Sequence, residues 1–180
     1  FGTGELRGEV IWNGARITGP SLWTNYVDLP GISNRPLDND GTYRFAAVQP
    51  GSYQMGFYPG ACGPHAPNKV AEFPVEVRAG ETVVYNPDIT AAAGRVVGHV
   101  TVNGTSLSNG YFEMEGACHS WYGGSDGSFV NYMKPGSYTV RVHGPSGVLG
   151  SFSFPIVAGE TTDVDFGTTP PGNNVDVELE

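Results

Sequence analysis

The residues of this 180-residue chain best suited to reactive chemistry are two cysteines and four histidines, which group as Cys62-Gly-Pro-His65 and Cys118-His119, with His99 and His143 standing apart. Thiolate and imidazole suit zinc or copper, so a Cys₂His₂ site can be drawn from them. The spacing is weak, because there is no Cys-x-x-Cys element and the ligands would have to be assembled from distant segments. Two cysteines in a Gly/Pro-rich chain of extracytoplasmic type more often form a disulfide. The expectation is a Cys62–Cys118 bond, with free thiols and a metal site as the alternatives.

Oxygen ligands come next. Asp38-Asn39-Asp40-Gly41 places three oxygen-bearing side chains in one turn, which makes Asp38 and Asp40 weak candidates for calcium. The Gly-x₅-Glu continuation of an EF-hand loop is missing, and Asp and Asn are ordinary turn formers whose side chains cap their own backbone. No metal and no cofactor is expected. The scattered histidines are not accompanied by a nucleophile elbow, and a lone histidine on a strand is more often a packed or solvent-facing side chain than a catalyst.

Aromatic side chains offer a better handle on binding. Trp23, Tyr26, Tyr58, Trp121 and Tyr122 lie at or near expected loops, and Tyr and Trp in loops anchor protein or sugar recognition. The competing reading is that Trp23 and Trp121 fill a core or a joint between domains.

The elements that would position these residues are written twice in the chain. Asp40-Gly-Thr-Tyr-Arg-Phe, followed by Pro50-Gly-Ser-Tyr53, returns as Asp126-Gly-Ser-Phe, followed by Pro135-Gly-Ser-Tyr138. Gly8 with the Asn13-Gly14 pair returns as Gly98 with Asn103-Gly104, and Ala79-Gly-Glu-Thr82 returns as Ala158-Gly-Glu-Thr161. Each is a turn signal feeding an alternating strand. The offset falls from 90 residues (Asn13 to Asn103) to 79 (Ala79 to Ala158), so the first copy carries the longer insertions. By composition these are loops, over 29–39 and 59–69. Ile89 to Gly94 joins the copies; it is short and uncharged, so the two units are expected to touch rather than swing.

With 27 Gly and 14 Pro the chain is punctuated too often for long helices, and 39% hydrophobic residues suffice for two cores. A net charge of −9 repels phosphate backbones and anionic headgroups, which disfavours nucleic acid and membrane surfaces as partners. No window reaches the roughly 20 apolar residues of a spanning helix, and no signal segment opens the chain. It reads as a mature or trimmed soluble fragment in which residues 169–180 are a linker and Leu179-Glu180 the remnant of a tag junction.

These motifs resemble the carboxypeptidase regulatory-like domain, a transthyretin-like (prealbumin-like) β-sandwich used as an accessory module in secreted and surface proteins. The resemblance covers most of residues 5 to 167. It implies an all-β chain of two tandem Greek-key sandwiches, at 1–90 and 94–168, and brings no catalytic residues. Related Cna-B-type surface modules carry a Lys–Asn isopeptide bond with the lysine on the first strand; here the only lysines are Lys69 and Lys134, in a loop and a turn. Hydroxyisourate hydrolase shares the fold but ends in Tyr-Arg-Gly-Ser, which this chain lacks. The expected function is a non-enzymatic extracytoplasmic binding or structural module of a larger secreted, periplasmic or surface protein, with a protein or carbohydrate partner. The rivals are a carbohydrate-binding module using loop aromatics and a small hydrolase.

Overall fold

A computed structural model describes residues 2–20, 22, 25–59, 69–115, 120–145 and 147–168, with backbone alone for Ser120, Trp121 and Thr168. Among them there is no α-helix, and therefore no helix long and apolar enough to cross a membrane. The strands of the first copy are β1 (Gly4–Glu9), β2 (Ile11–Trp12), β3 (Ala15–Arg16), β4 (Tyr26–Leu29), β5 (Ser33–Pro36), β6 (Thr42–Val48), β7 (Gly51–Tyr58), β8 (Ala71–Val77) and β9 (Thr82–Val84). Those of the second are β10 (Gly94–Val102), β11 (Thr105–Ser106), β12 (Tyr111–Met114), β13 (Ser120–Tyr122), β14 (Ser128–Met133), β15 (Gly136–Gly144), β16 (Gly147–Ile156) and β17 (Thr161–Thr168).

Strand order repeats along with sequence. The first copy faces a β6-β1-β9 sheet with a β5-β4-β7-β8 sheet, and the second faces β14-β10-β17 with β13-β12-β15-β16. In both, the last strand lies parallel to the first while other neighbours run antiparallel. Each core takes the inward residues of both sheets. Leu6, Phe45, Val27, Phe57 and Val75 meet in the first; Phe112, Phe129 and Phe166 meet in the second, where the rings of Phe129 and Phe166 stack at 5.5 Å.

The repeated motifs now have physical reasons. Asn13-Gly14 and Asn103-Gly104 both have positive φ at two successive residues, the requirement of a tight turn that matches strand twist. Tyr53 and Tyr138 donate their hydroxyls to the carbonyls of Gln49 and Lys134, four residues back, at 2.6 and 2.7 Å, and so lock the Pro-Gly turn. Asp40 and Asp126 each accept hydrogen bonds from the backbone N–H and the hydroxyl of the residue two on, Thr42 or Ser128. These bonds hold both carboxyls below their usual range.

Gly8 and Gly98 answer to space rather than to turn geometry. A Cβ at Gly8 would stand 1.8 Å from the Tyr85 carbonyl oxygen, and one at Gly98 would stand 1.7 Å from that of Val164. The incoming parallel strand passes where a side chain would be.

One expectation about elements needs correction. Residues 29–39, read as a loop, contain the turn of a β-hairpin: β4 pairs with β5 from Tyr26↔Pro36 to Leu29↔Ser33 across Pro30-Gly31-Ile32, with Gly31 at φ +78°. Strand β5 was hidden because three of its four residues are exposed and polar or proline, so its pairing is a matter of backbone with no hydrophobic alternation to betray it. The segment from Glu5 to Trp12 is divided between β1 and β2. It breaks at the buried Val10, whose N–H donates to Gly41 and whose carbonyl accepts from Ile17.

One difference between the copies is directly testable. Tyr43 is buried and donates its hydroxyl to the Tyr85 carbonyl at 2.6 Å, whereas its counterpart is Phe129, opposite Gly98 as Tyr43 is opposite Gly8. Burial raises the Tyr43 pKa, so the phenol remains a donor at neutral pH. Tyr43→Phe is expected to cost about 1 kcal/mol in urea unfolding, because the Tyr85 carbonyl loses a partner. An unchanged midpoint would mean that the bond contributes nothing.

Candidate functional site

Three surfaces compete for function: the joint between the copies, a groove on the first, and a row of rings on the second. The joint begins at the Asn13-Gly14 turn. Trp12 donates its indole N–H to the Ala93 carbonyl at 2.9 Å, and its ring meets Tyr132 edge-on at 5.7 Å. Asn13 donates its side-chain amide to the Gly159 carbonyl at 2.9 Å and its backbone N–H to the Thr90 hydroxyl at 2.7 Å. Ile89 and Ala93 of the connecting segment are fully buried, and Val130 and Tyr132 of β14 belong to the core of the first copy. The joint is thus an extension of a hydrophobic interior.

The groove lies on the outer face of β6-β1-β9. It encloses about 530 Å³ and is lined in part by Arg7, Glu9, Asp38, Arg44 and Val84. Arg44 donates to Glu5 at 2.5 and 3.0 Å, and Arg7 lies 3.8 Å from the same carboxylate. Hydrogen bonding from Arg44 lowers the Glu5 pKa despite some opposing burial. By register this face corresponds to the one on which the second copy receives the first: Arg7 is opposite Arg44 as Val97 is opposite Val130. Charges therefore stand in the first copy where apolar docking residues stand in the second. Asp38 and Asp40 flank this region with their carboxylates engaged by Thr42. No group of three or more His, Cys, Asp or Glu side chains suited to a metal occurs among the described residues.

The row of rings crosses three strands on the outer face of β13-β12-β15-β16. Tyr111 is opposite Tyr122 on one side and His143 on the other. Both ring pairs have centroids 5.2 Å apart, tilted at 51° and 60°. His143 Nε2 lies 2.9 Å from a Glu113 carboxylate oxygen, and Arg141 donates to Glu115 at 2.9 Å. The first copy has the same row in the same register, made of Pro36, Tyr26 and Tyr58. There it is closed. Tyr58 is only 5% exposed, its ring lying over Gly56, where a Cβ would be 2.6 Å away. Burial raises the pKa of both Tyr58 and the neighbouring Asp28.

The sequence-derived candidates fall out unevenly. Tyr122 is exposed on β13, and Tyr26 is half-buried on β4. Tyr58 is corrected from a loop anchor to a buried strand residue. Cys62, Cys118, His65, His119 and Trp23 lie outside the described residues, as does the side chain of Trp121, so the proposed disulfide lies outside them too. His99 and His143 are on strands as expected; His99 Nε2 lies 2.6 Å from the Asp126 carbonyl oxygen and 3.1 Å from the Ser106 hydroxyl. Lys69 pairs with Glu72, and Lys134 occupies the β14–β15 turn. Gly123-Gly-Ser-Asp-Gly127 does spell Gly-x-Ser-x-Gly, but it runs through a turn into β14 rather than into a helix, so it builds no elbow. Sequence reasoning passed over Tyr111 in the ring row and set His143 aside as an isolated strand residue; the alternation Tyr111-x-Glu113-x-Glu115 was the available signal.

No family model matches this chain, and no curated protein matches it. Solved structures do. The chain is similar to the minor pilin GBS52 of Streptococcus agalactiae at 13% identity, over 93% of this chain and 96% of that one, with a TM-score of 0.38. It is similar to the shaft pilin SpaA of Lactobacillus rhamnosus GG at 11% identity, over 95% and 98%, with a TM-score of 0.36. A DUF3823 family protein of Bacteroides uniformis is similar at 11% identity, over 86% and 100%, with a TM-score of 0.38. At these identities and TM-scores the likeness assigns this chain neither a family nor a function.

Proposed function

We propose that this chain is a non-enzymatic structural and binding module of a larger extracytoplasmic protein, built from two carboxypeptidase regulatory-like sandwiches held in one fixed orientation. The observation that carries the reading is the joint, where Trp12, Ile89, Ala93, Val130 and Tyr132 extend the core of the first copy onto the outer face of β14 of the second, whose own core is separate. A flexible tether would leave each sandwich to orient independently; a packed apolar joint makes a spacer that transmits position along its length. The doubled turn chemistry serves the same end, since each repeated motif stabilises strand connections.

Residual dipolar couplings test this. Amides of β1, β6 and β7 and those of β10, β14 and β15 are expected to fit one alignment tensor. Two tensors of different magnitude would show independent sandwiches and remove the spacer reading. Turnover of a peptide, ester or phosphoester substrate that is lost on changing His99 or His143 would overturn its non-enzymatic part.

A further inference from the structure

Beyond its role as a spacer, we propose that the second sandwich binds an uncharged glycan across the row formed by the exposed Tyr122 and the half-buried Tyr111 and His143. The inference rests on the binding half of the function proposed above, but on a different surface.

The three rings sit on adjacent strands in direct register, so they step across the sheet at about the 4.8 Å spacing of neighbouring strands. That step is comparable to the length of one pyranose residue in an extended polysaccharide. Val148, opposite His143 and 49% exposed, continues the row onto β16. Two residues along each strand lies a second row, in which Glu113 is opposite Arg141 and Arg141 is opposite Ser151. The face is therefore banded, with a strip of rings beside a strip of hydrogen-bonding groups. A pyranose ring has the matching construction, an apolar face of C–H groups bounded by a rim of hydroxyls. Tyr supplies a large, stiff contact surface at low entropic cost and retains a polar tip for those hydroxyls.

Charge narrows the ligand class. The chain carries a net charge of −9, and beside the rings Glu113 of the second row and Glu115 beyond it stand against a single arginine, Arg141. Sulfated, phosphorylated and uronic glycans would be repelled. Glu113 and Arg141 are already oriented by His143 and Glu115, so both strips are held in place before a ligand arrives. Fixing donor and ring positions in advance lowers the cost of binding.

The first copy shows what a satisfied version of this row looks like. In it, Tyr58 is laid down over Gly56 and withdrawn from solvent, whereas in the second copy Arg141 occupies the equivalent place opposite Glu113 as Gly56 is opposite Asp28. Tyr122 stays 38% exposed. The two copies thus differ at the β7/β15 position, where the buried Tyr58 of the first is replaced by the half-buried His143 of the second.

The test is isothermal titration of the intact chain with cellohexaose, xylohexaose, mannohexaose and chitohexaose, and with hyaluronan and a proline-rich decapeptide for comparison. At least one neutral hexasaccharide is expected to bind, and Tyr111→Ala and Tyr122→Ala are each expected to weaken it by about tenfold or more. Arg78→Ala, at an exposed position just after β8 in the first copy, should leave binding unchanged. Amide shifts on titrating the unmodified protein should cluster on β12, β13 and β15, which keeps the test independent of how the variants fold. The proposal fails if none of the four hexasaccharides binds, if shifts cluster elsewhere, or if hyaluronan or the peptide binds more tightly. None of those results would disturb the single alignment tensor expected of the joint, so the two readings fail separately.

Discussion

Gly98→Ala is expected to be the most damaging single-methyl addition in the second sandwich. The new Cβ would lie 1.7 Å from the Val164 carbonyl oxygen and 2.8 Å from the Phe129 ring, so strand β17 would have to move away from β10 or β10 would have to buckle. Backbone cannot rotate aside as a side chain can. Overpacking generally costs about 1–3 kcal/mol, and the expected loss here is at or above the top of that range. Gly8→Ala should behave the same way, since its Cβ would meet the Tyr85 carbonyl at 1.8 Å and the Asn86 side-chain oxygen at 2.9 Å. The informative comparison is Gly104→Ala. Its φ is +75° with nothing within 4 Å, so the substitution costs only left-handed backbone strain, about 1 kcal/mol. Urea unfolding of the three variants measures the contrast. If Gly98→Ala costs no more than Gly104→Ala, the close passage of the last strand over the first is not a constraint on the fold.

The second large effect should come from Trp12→Ala. This removes the edge-on contact with Tyr132 at 5.7 Å and the indole hydrogen bond to Ala93, and leaves a cavity at the joint. Truncating a buried tryptophan typically costs 3–5 kcal/mol, and because Trp12 is only partly buried we expect about 3 kcal/mol. The form of the transition should also change. Calorimetry of the unmodified chain is expected to show one cooperative unfolding step, and the variant two, as the sandwiches lose the apolar contact that couples them. Val102 stands at the matching position of the second copy, before Asn103 as Trp12 stands before Asn13, and Val102→Ala should leave a single transition. A single transition in Trp12→Ala with unchanged stability would mean that the joint is held by the connecting segment alone.

The charged groove of the first copy lies on the face that the second copy uses for docking. Val97 and Val130 make the second copy receptive, and Arg7 and Arg44 occupy the same positions in the first. Those guanidiniums would have to be desolvated before another sandwich could sit there, which is costly without matched partners.

What could be read from the sequence was whatever depends on a few consecutive residues. Asn-Gly, Asp-Gly, Pro-Gly-x-Tyr and Ala-Gly-Glu each specify a turn through contacts spanning two to four positions, so their repetition revealed a doubled all-β chain and the order of its main strands. The contact of the copies across Ile89 to Gly94 was legible for a similar reason, a connection that is short and carries no charge. Strand β5 escaped notice because an edge strand pairs through its backbone and needs no hydrophobic pattern. Tyr58 was misplaced because a tyrosine beside a Gly/Pro-rich stretch looks like a loop residue until Gly56 is seen to make room for its ring. The sites lie entirely beyond local reading. Trp12 meets Tyr132, and Tyr111 meets both Tyr122 and His143, only because strand pairing and the packing of one sandwich on the other bring distant positions together. The turns are encoded by conformational preferences within each short segment, whereas the joint, the groove and the ring row depend on which side chains the register places face to face, and that is decided by the tertiary structure.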